Sequence, residues 1–371
     1  MTLIALLKTI SDPRSHRGRR HPLWLVLFLS LLGCLCGYWG YRPLAEFAEE
    51  HHSSWCELLH LDAQTTKAPS YSTFRQVFLR VDAQGWVDAF NLWAMSHAPE
   101  YLGFFAVDGK SIRCTSSEGA QAGYDFAALV SVYSKAAGVL RLELMFNQKA
   151  SEIAVAKRLI TEVATAPELA ASRPIGFSLD ALHSQVDTLK LIEQQGCRYL
   201  IGLKTNQPKL HALAQQLRQT QRALDLASEL DCTHGRRIRR TVAVYAVANE
   251  QLPKRWRGCG ITCIAWVIRE GLRPDKPYDE EHFYLSNGRD CAQTLLALVR
   301  DHWQIENGLH WVKDVTLKED EPPRRGGHAP ISWAVLNSFL ITIARKLNKE
   351  TVPAAMRLLA NQVVKVFRLL T

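Results

Sequence analysis

Phe104-Phe105-Ala106-Val107-Asp108-Gly109 is a short apolar run that ends in an acid and a glycine, the pattern of a strand running into a turn. The same pattern returns at Ile175-Gly176-Phe177-Ser178-Leu179-Asp180. Between them, Ala128–Tyr133 is β-branched and apolar, and Val139–Phe146 alternates Leu140, Leu142, Leu144 and Phe146 with Arg141, Glu143 and Met145, the period of a strand with one covered face. The period then changes to that of a helix: Ile153, Ala156, Ile160 and Val163 form one stripe beginning just after Ser151-Glu152. Val186, Leu189 and Ile192 form another stripe, closed by Gly196, and Tyr199–Leu203 reads as a further buried strand. Three strands, helix, strand, helix, strand is an α/β layer that opens with a meander.

Working outward, residues 1–100 read as helical, with apolar stretches at 22–38 and 84–95, and Ser72 is placed to cap a helix starting near Thr73-Phe74. The uncharged segment Pro22–Gly40 is nearly long enough to span a bilayer, but Gly33, Gly37 and Gly40 dilute it, and a buried core helix is the preferred reading. Residues 208–290 break the α/β rhythm. A polar helix-like piece (208–230) leads into three strand-like runs, Arg239–Ala248, Ile261–Ile268 and Glu281–Leu285, read as an insertion rather than a separate domain. A long helix is expected from Thr294 to about Lys313, and the last forty residues, from Pro330, read as helical and basic.

The chain has 371 residues and a formal net charge of +9, with hydrophobic residues at 47% and charged residues at 22%, the balance of a protein with a sizeable core. Lys8, Arg14, Arg17, Arg19 and Arg20 stand against Asp12 alone near the N-terminus. Across residues 234–257, Arg236, Arg237, Arg239, Arg240, Lys254, Arg255 and Arg257 stand against Glu250. Two such clusters make nucleic acid the leading partner class. The nine cysteines show no repeated C-x-x-C spacing, so they read as thiols in a reducing cytosol rather than a metal framework.

Asp108 and Asp180 each end a strand of one sheet, where ligands gather in α/β folds. Two carboxylates there, joined by a third from a helix, would hold two divalent cations ~3.5–4 Å apart for in-line displacement at phosphorus. Hard oxygen ligands favour Mg²⁺, with Mn²⁺ as a substitute. The competing reading makes each Asp an ordinary turn residue. In His302-Trp303-Gln304-Ile305-Glu306-Asn307-Gly308-Leu309-His310-Trp311-Val312-Lys313, positions 302, 306, 310 and 313 would share one helical face. His302, Glu306 and His310 could alternatively form a transition-metal site, although the spacing is not H-E-x-x-H.

Several blocks in order carry a resemblance: Val107-Asp108-Gly109-Lys110-Ser111-Ile112-Arg113, Gln148-Lys149-Ala150-Ser151-Glu152-Ile153, Leu179-Asp180-Ala181-Leu182-His183-Ser184-Gln185, Tyr199-Leu200-Ile201-Gly202-Leu203-Lys204-Thr205-Asn206-Gln207, and the helix His302–Trp311. Lys318-Glu319-Asp320, Gly327-His328-Ala329-Pro330 and the opening Asp12-Pro13-Arg14 to Pro22-Leu23 belong with them. Over nearly its whole length the chain resembles the H-repeat-associated group of bacterial insertion-sequence transposases, within the DDE superfamily. The resemblance implies an RNase H-like catalytic core (a mixed five-stranded sheet with helices) carrying a β-rich insertion at about 208–290. It places a helical domain before that core, and the acid triad on Asp108, Asp180 and Glu306. The expected division is 1–100 helical, 101–330 catalytic and 331–371 a basic helical tail.

The related signature sets a Tyr, an Arg, the catalytic Glu and a Lys along one helix. Here Val299 and His302 occupy the Tyr and Arg positions, with Arg300 nearby, while Lys313 stands where the Lys is expected. The implied DNA contacts are Lys110, Arg113, Lys204, Asn206, Arg236, Arg237, Arg239, Arg240, Arg300, His302 and Lys313, with Trp303 and Trp311 as stacking candidates for a flipped base. The implied activity is metal-dependent hydrolysis and strand transfer at the element's terminal inverted repeats and target DNA. The protein would act as a homodimer in the bacterial cytoplasm, at the nucleoid, with no small-molecule substrate and no membrane role. A catalytically silent domesticated DNA-binding relative and a related DNA nuclease are the alternatives.

Overall fold

A computed structural model describes residues 2–16, 19–98, 103–113, 127–146, 149–232, 237–272, 277–321, 326–349 and 351–371. In chain order the elements are α1 (Leu3–Lys8), α2 (Leu23–Leu35), α3 (Tyr41–Glu50), α4 (His52–Leu58), α5 (Tyr71–Arg80) and α6 (Ala83–Ser96). Then come β1 (Phe104–Ile112), β2 (Ala127–Ser134), β3 (Gly138–Phe146), α7 (Lys149–Thr165), β4 (Gly176–Leu179), α8 (Val186–Gln194) and β5 (Arg198–Leu203). The chain continues through α9 (Pro208–Thr220), β6 (Asp225–Asp231), β7 (Arg237–Ala246), β8 (Cys263–Leu272), β9 (Pro277–Ser286) and α10 (Ala292–His302), and ends with α11 (Ala329–Lys346), α12 (Val352–Leu359) and α13 (Val363–Leu370). The strands hydrogen bond in the order β3-β2-β1-β4-β5-β9-β8-β7-β6.

Among the described residues the sheet therefore has nine strands, not the five expected. The five of the first α/β layer are all present. The insertion adds four more because β9 pairs antiparallel with β5, Leu200 opposite Ser286 and Leu203 opposite Phe283, so its hairpins extend the same sheet. β6 lies within the stretch read as a polar helix. Its sequence, Asp225-Leu226-Ala227-Ser228-Glu229-Leu230-Asp231, belongs to an edge strand whose leucines stay exposed, Leu226 at 63% and Leu230 at 47%. No covered apolar face marks it.

The chain divides into two compact units. One comprises Met1–Pro99, Gly109–Lys149 and Glu306–Thr371; the other comprises Glu100–Asp108 and Ala150–Ile305.

In the first unit, α2 is buried everywhere except at Trp24, as the core-helix reading of Pro22–Gly40 requires. A Cβ on Gly33 would fall 2.8 Å from Leu44 Cδ2 and 3.0 Å from Phe47 Cδ1, so α2 and α3 approach closely only because this residue has no side chain. Gly37, at φ +103°, ends the helix. Among the described residues no helix is long and apolar enough to cross a membrane. Helix α5 begins at Tyr71, two residues before the expected start, with Ser70 at its N-cap.

The segment read as a basic tail is different in kind. α11 is buried from Ala329 to Ala344 and forms the axis of this unit. Phe339 packs on Trp86, Phe90 and Trp93 at centroid distances of 5.0, 4.8 and 4.9 Å, and Trp333 Nε1 donates to Tyr41 Oη at 3.1 Å. Its cations, Arg345 and Lys346, come only in the last turn, where they suit the helix dipole.

In the second unit β1, β4 and β5 run parallel and β5 to β9 antiparallel. α10 covers one face of the sheet through Ala292, Leu295, Leu296 and Val299, which pack with Leu200, Val242, Val244, Ala265 and Val267. Phe104 and Trp303 close that cluster from the side.

Candidate active site

β1 does not turn at Asp108-Gly109; it runs on to Ile112. What stops there is its pairing with β4, whose last register partners are Val107 and Leu179. Asp108 and Asp180 are the next residues on each side. Asp108, still within β1, and Asp180, just past β4, stand where the parallel pairing stops, with backbones roughly 5 Å apart by strand spacing, and their side chains share the face that carries Ala106 and Ser178.

Asp180 opens a short 3₁₀ turn, Ala181–His183, and its Oδ1 accepts from Leu182 N at 2.9 Å. That bond fixes the carboxylate's direction while the side chain stays 51% exposed. The turn is held from behind by β5 and the loop after it. Gly202 admits the backbone, since a Cβ there would sit 3.0 Å from Ala181 N. Asn206 Nδ2 donates to Ala181 O at 2.8 Å, and Gln207 Nε2 donates to Ser184 O at 2.7 Å. Asn206, expected at DNA, thus supports the turn carrying Asp180, whereas Lys204 is exposed beside it.

Sequence reasoning missed His183. The ring is fully buried, with Nε2 3.5 Å from Glu152 Oε1 and 3.9 Å from Asp180 Oδ1. Its signal was a histidine three residues after the aspartate and an acid in the Gln148–Ile153 block, two features whose proximity only the fold supplies.

α10 lies over the face that bears the aspartates. His302 Nδ1 and Ser178 Oγ are hydrogen bonded at 3.1 Å, and Ser178 Oγ also reaches Phe105 O at 3.4 Å. Burial pushes the His302 imidazole down to about 4 despite the opposing pull of Asp180. Held low in this way, the imidazole favours its neutral form near pH 7, with Nδ1 taken up by Ser178. Trp303 packs on the cluster beneath α10, with the Arg269 guanidinium 5.3 Å from its ring, so it serves the core. Arg300 is half exposed and pairs with Glu229 at 3.3 Å.

The expected continuous helix breaks after α10. Residues Ile305–His310 and Val312–Thr316 are wound as π-helix, which carries more residues per turn than an α-helix and recurs at functional sites. The face shared by 302, 306, 310 and 313 is lost in that winding. Glu306 and Trp311 are exposed, Gly308 is buried with its carbonyl accepting from Arg345 at 2.9 Å, and Lys313 is buried.

Lys313 and Lys110 meet a cluster of acids. Lys110 Nζ lies 2.7 Å from Asp314 Oδ1, 3.6 Å from Glu319 Oε1 and 3.7 Å from Asp320 Oδ2, while Lys313 Nζ lies 3.9 Å from Glu319 Oε2. Burial pulls the Lys110 ammonium down, but Glu319, Asp314 and Asp320 outweigh it and the proton is held more firmly than in an ordinary lysine. Lys313 is more deeply buried, and there desolvation wins against Glu319. Neither ammonium faces solvent, so the structure corrects both as surface phosphate contacts. Arg113 differs: its side chain is 85% exposed, while its backbone N–H donates to Asp320 Oδ1 at 2.9 Å.

On β7, Arg237 and Arg239 point outward from one face, while Arg240 is tied to Glu229 at 3.4 Å and Asp231 at 3.1 Å. Arg236 lies outside the described residues. Among the described residues no three His, Cys, Asp or Glu side chains are grouped closely enough to hold one metal ion.

The architecture is that of a mixed α/β protein with two aspartates side by side where the parallel pairing of β1 and β4 stops, and exposed arginines on the added strands. Residues 102–329 match the Transposase DDE domain family, and residues 4–94 match the family described as DDE_Tnp_1-associated. "Putative transposase YncI" of Escherichia coli O157:H7 is 26% identical over 337 residues, covering 88% of this chain and 83% of the relative. "H repeat-associated putative transposase YhhI" of Escherichia coli K12 is 23% identical over 350 residues, covering 92% and 89%. The chain belongs to the DDE-domain transposases of insertion sequences, and its function is that of such a transposase.

Proposed function

We propose that Asp108, Asp180 and Glu306 form the acid triad of a divalent-metal-dependent reaction that cleaves DNA at the element's terminal inverted repeats and joins it to target DNA. The observation that carries this reading is the register of β1 and β4, which brings Asp108 and Asp180 out side by side. The strand order β3-β2-β1-β4-β5, with β1, β4 and β5 parallel, supports an RNase H-like core to which β6–β9 are added.

The pair suits a hard cation. Both ligands are carboxylates, and Asp180 is held by Leu182 N through Oδ1 only, leaving Oδ2 with no hydrogen-bond partner among the described residues. Mg²⁺, with Mn²⁺ as substitute, would be held by Asp108, Asp180 and Glu306. When bound, it would neutralise charge at phosphorus and favour ionisation of the attacking water or hydroxyl.

The protein's own groups do the rest. The turn Ala181–His183, clamped by Asn206 and Gln207, keeps the Asp180 carboxylate aimed. Neutral His302 on Ser178 packs the aspartate face without adding a cation beside the carboxylates. Arg113, Lys204, Arg237 and Arg239, all exposed, are assigned to DNA phosphates, and Trp311, 54% exposed, to a base at the element end. We assign the helical residues 1–100 and the catalytic residues 101–330 to separate tasks on the same DNA, with a homodimer in the cytoplasm at the nucleoid as the working form.

The test is cleavage of a labelled duplex carrying the terminal repeat, with Mg²⁺. Wild type should cut at the repeat boundary, and Asp180→Asn and Glu306→Gln should bind but not cut. A wild type that binds the repeat and never cuts would transfer the assignment to a silent DNA-binding relative. Cutting without strand transfer would mark a nuclease.

A further inference from the structure

The sheet has two edge strands, and they are finished differently. At β3 the backbone is taken up by side chains. Asn91 of α6 donates from Nδ2 to Leu142 O at 2.9 Å and accepts from Leu142 N at 2.8 Å. Thr342 of α11 accepts from Val139 N at 3.0 Å and donates to Val139 O at 3.2 Å. These bonds close that edge to a further strand. β6, the last strand on the other side, is bordered by β7 alone among the described residues, from Asp225 opposite Val244 to Asp231 opposite Ile238.

The two faces of β6 are equally unlike. On one, Ala227 packs on the cluster beneath α10, and the acids are engaged within the chain. Asp225 Oδ2 accepts from Ala292 N at 2.7 Å, Arg300 reaches Glu229 at 3.3 Å, and Arg240 reaches Asp231 at 3.1 Å. The opposite face carries Leu226, Ser228 and Leu230, whose two leucines are the exposed ones. The strand has three acids and no Lys or Arg, so it repels DNA phosphate. An apolar stripe along an open strand edge suits another polypeptide strand.

The order of the residues selects which strand. Asp225-Leu226-Ala227-Ser228-Glu229-Leu230-Asp231 reads nearly the same in both directions about Ser228. A second copy laid antiparallel, with the two Ser228 residues opposite each other, sets Leu226 against the partner's Leu230 and Leu230 against the partner's Leu226. The stripe then closes on itself, the self-complementary arrangement a two-fold interface requires. Asp225 falls opposite the partner's Asp231, and the bonds these acids already make inside each chain moderate their repulsion.

We propose that β6 joins two copies of this chain by antiparallel pairing about Ser228. The proposal rests on the homodimer assigned as the working form of the transposase, and it names the surface that holds that dimer together.

The test uses the full chain with the exposed Cys232 and Cys291 replaced by Ser, in sedimentation velocity with and without a terminal-repeat duplex. Leu226→Glu/Leu230→Glu sets new carboxylates against each other and should raise the dimer dissociation constant roughly 100-fold or more. Thermal melts should match wild type, because both positions are exposed. The register is read separately by mild oxidation. A one-to-one mixture of Leu226→Cys and Leu230→Cys chains should form a disulfide-linked dimer, and neither chain alone should do so. Leu92→Cys, 56% exposed on α6, is the collision control. A dimer that survives the double Glu variant unchanged, or a mixture that cross-links no better than Leu92→Cys, would overturn this interface and leave the homodimer standing. A wild type that is monomeric both with and without DNA would overturn the homodimer as well.

Discussion

Lys313 and Glu319 form an ion pair in which each side chain is only 1% exposed, with Nζ 3.9 Å from Oε2. Asn337 Nδ2 donates to the same Glu319 oxygen at 2.9 Å, so the carboxylate joins the π-helical segment to the central helix α11. A buried pair adds little over an apolar one, but removing one partner strands the other. Glu319→Ala should therefore cost about 3–5 kcal/mol in urea denaturation. Adding Lys313→Met should recover part of it. A cost below about 1 kcal/mol, as for a surface pair, would contradict this.

Acid should weaken the fold through His302. Its folded-state value of about 4 lies below the ordinary 6.5. Between those two pH values the unfolded chain binds a proton that the folded chain does not, so stability falls as pH drops through that window. The full contribution is about 3 kcal/mol, complete below about pH 4. His310, pushed by burial to about 3, acts in the same direction. His302→Gln should flatten the dependence of unfolding free energy on pH between 6.5 and 4. An unchanged dependence would mean the imidazole is charged in the folded protein.

Gly202 tests the support of Asp180. A methyl group there would lie 3.0 Å from Ala181 N, next to the aspartate, so the turn must give by a few tenths of an ångström. Gly202→Ala should lower the cutting rate roughly 10-fold or more and leave DNA affinity near wild type. Equal loss of both would point to general unfolding.

The two tryptophans of the 303–311 stretch should separate by assay. Trp311 is 54% exposed, so Trp311→Ala should change stability by no more than about 0.5 kcal/mol while weakening end-DNA binding or cutting by about 1–3 kcal/mol. Trp303→Ala should do the reverse, because its ring belongs to the cluster under α10. If Trp311→Ala cuts at the wild-type rate and binds with wild-type affinity, the base-stacking role is wrong.

The strands that order the site were legible because Phe104–Val107 is apolar throughout and Ile175–Leu179 is apolar but for Ser178, while the expected alternation of Val139–Phe146 holds for Leu140 and Leu142 and fails at its end, where Met145 is buried and Phe146 is exposed. β6 was not, since an edge strand can leave Leu226 and Leu230 in solvent. The acids at 108 and 180 stood out as residues following apolar runs, although β1 continues past Asp108 to Ile112 and only the family resemblance singled them out as a pair. The burial of Lys110 could not, because its partners Asp314, Glu319 and Asp320 lie some two hundred positions away in the sequence. The unwinding after His302 was also hidden: residues 302–313 keep an α-helical pattern on paper, and the π-helical turns depend on tertiary support such as the Arg345 bond to Gly308. A basic count over residues 345–368 likewise concealed that α11 is buried from Ala329 to Ala344.

Localised cleavage of the protein chain would show whether Glu306 joins Asp108 and Asp180 on the same metal. Fe²⁺ bound in place of Mg²⁺, with ascorbate and peroxide, cuts backbone near the ion. Three groups of fragments should end near residues 108, 180 and 306, all suppressed by excess Mg²⁺ and lost in Asp180→Asn. Cuts near 108 and 180 with none near 306, or cuts that Mg²⁺ does not suppress, would contradict it.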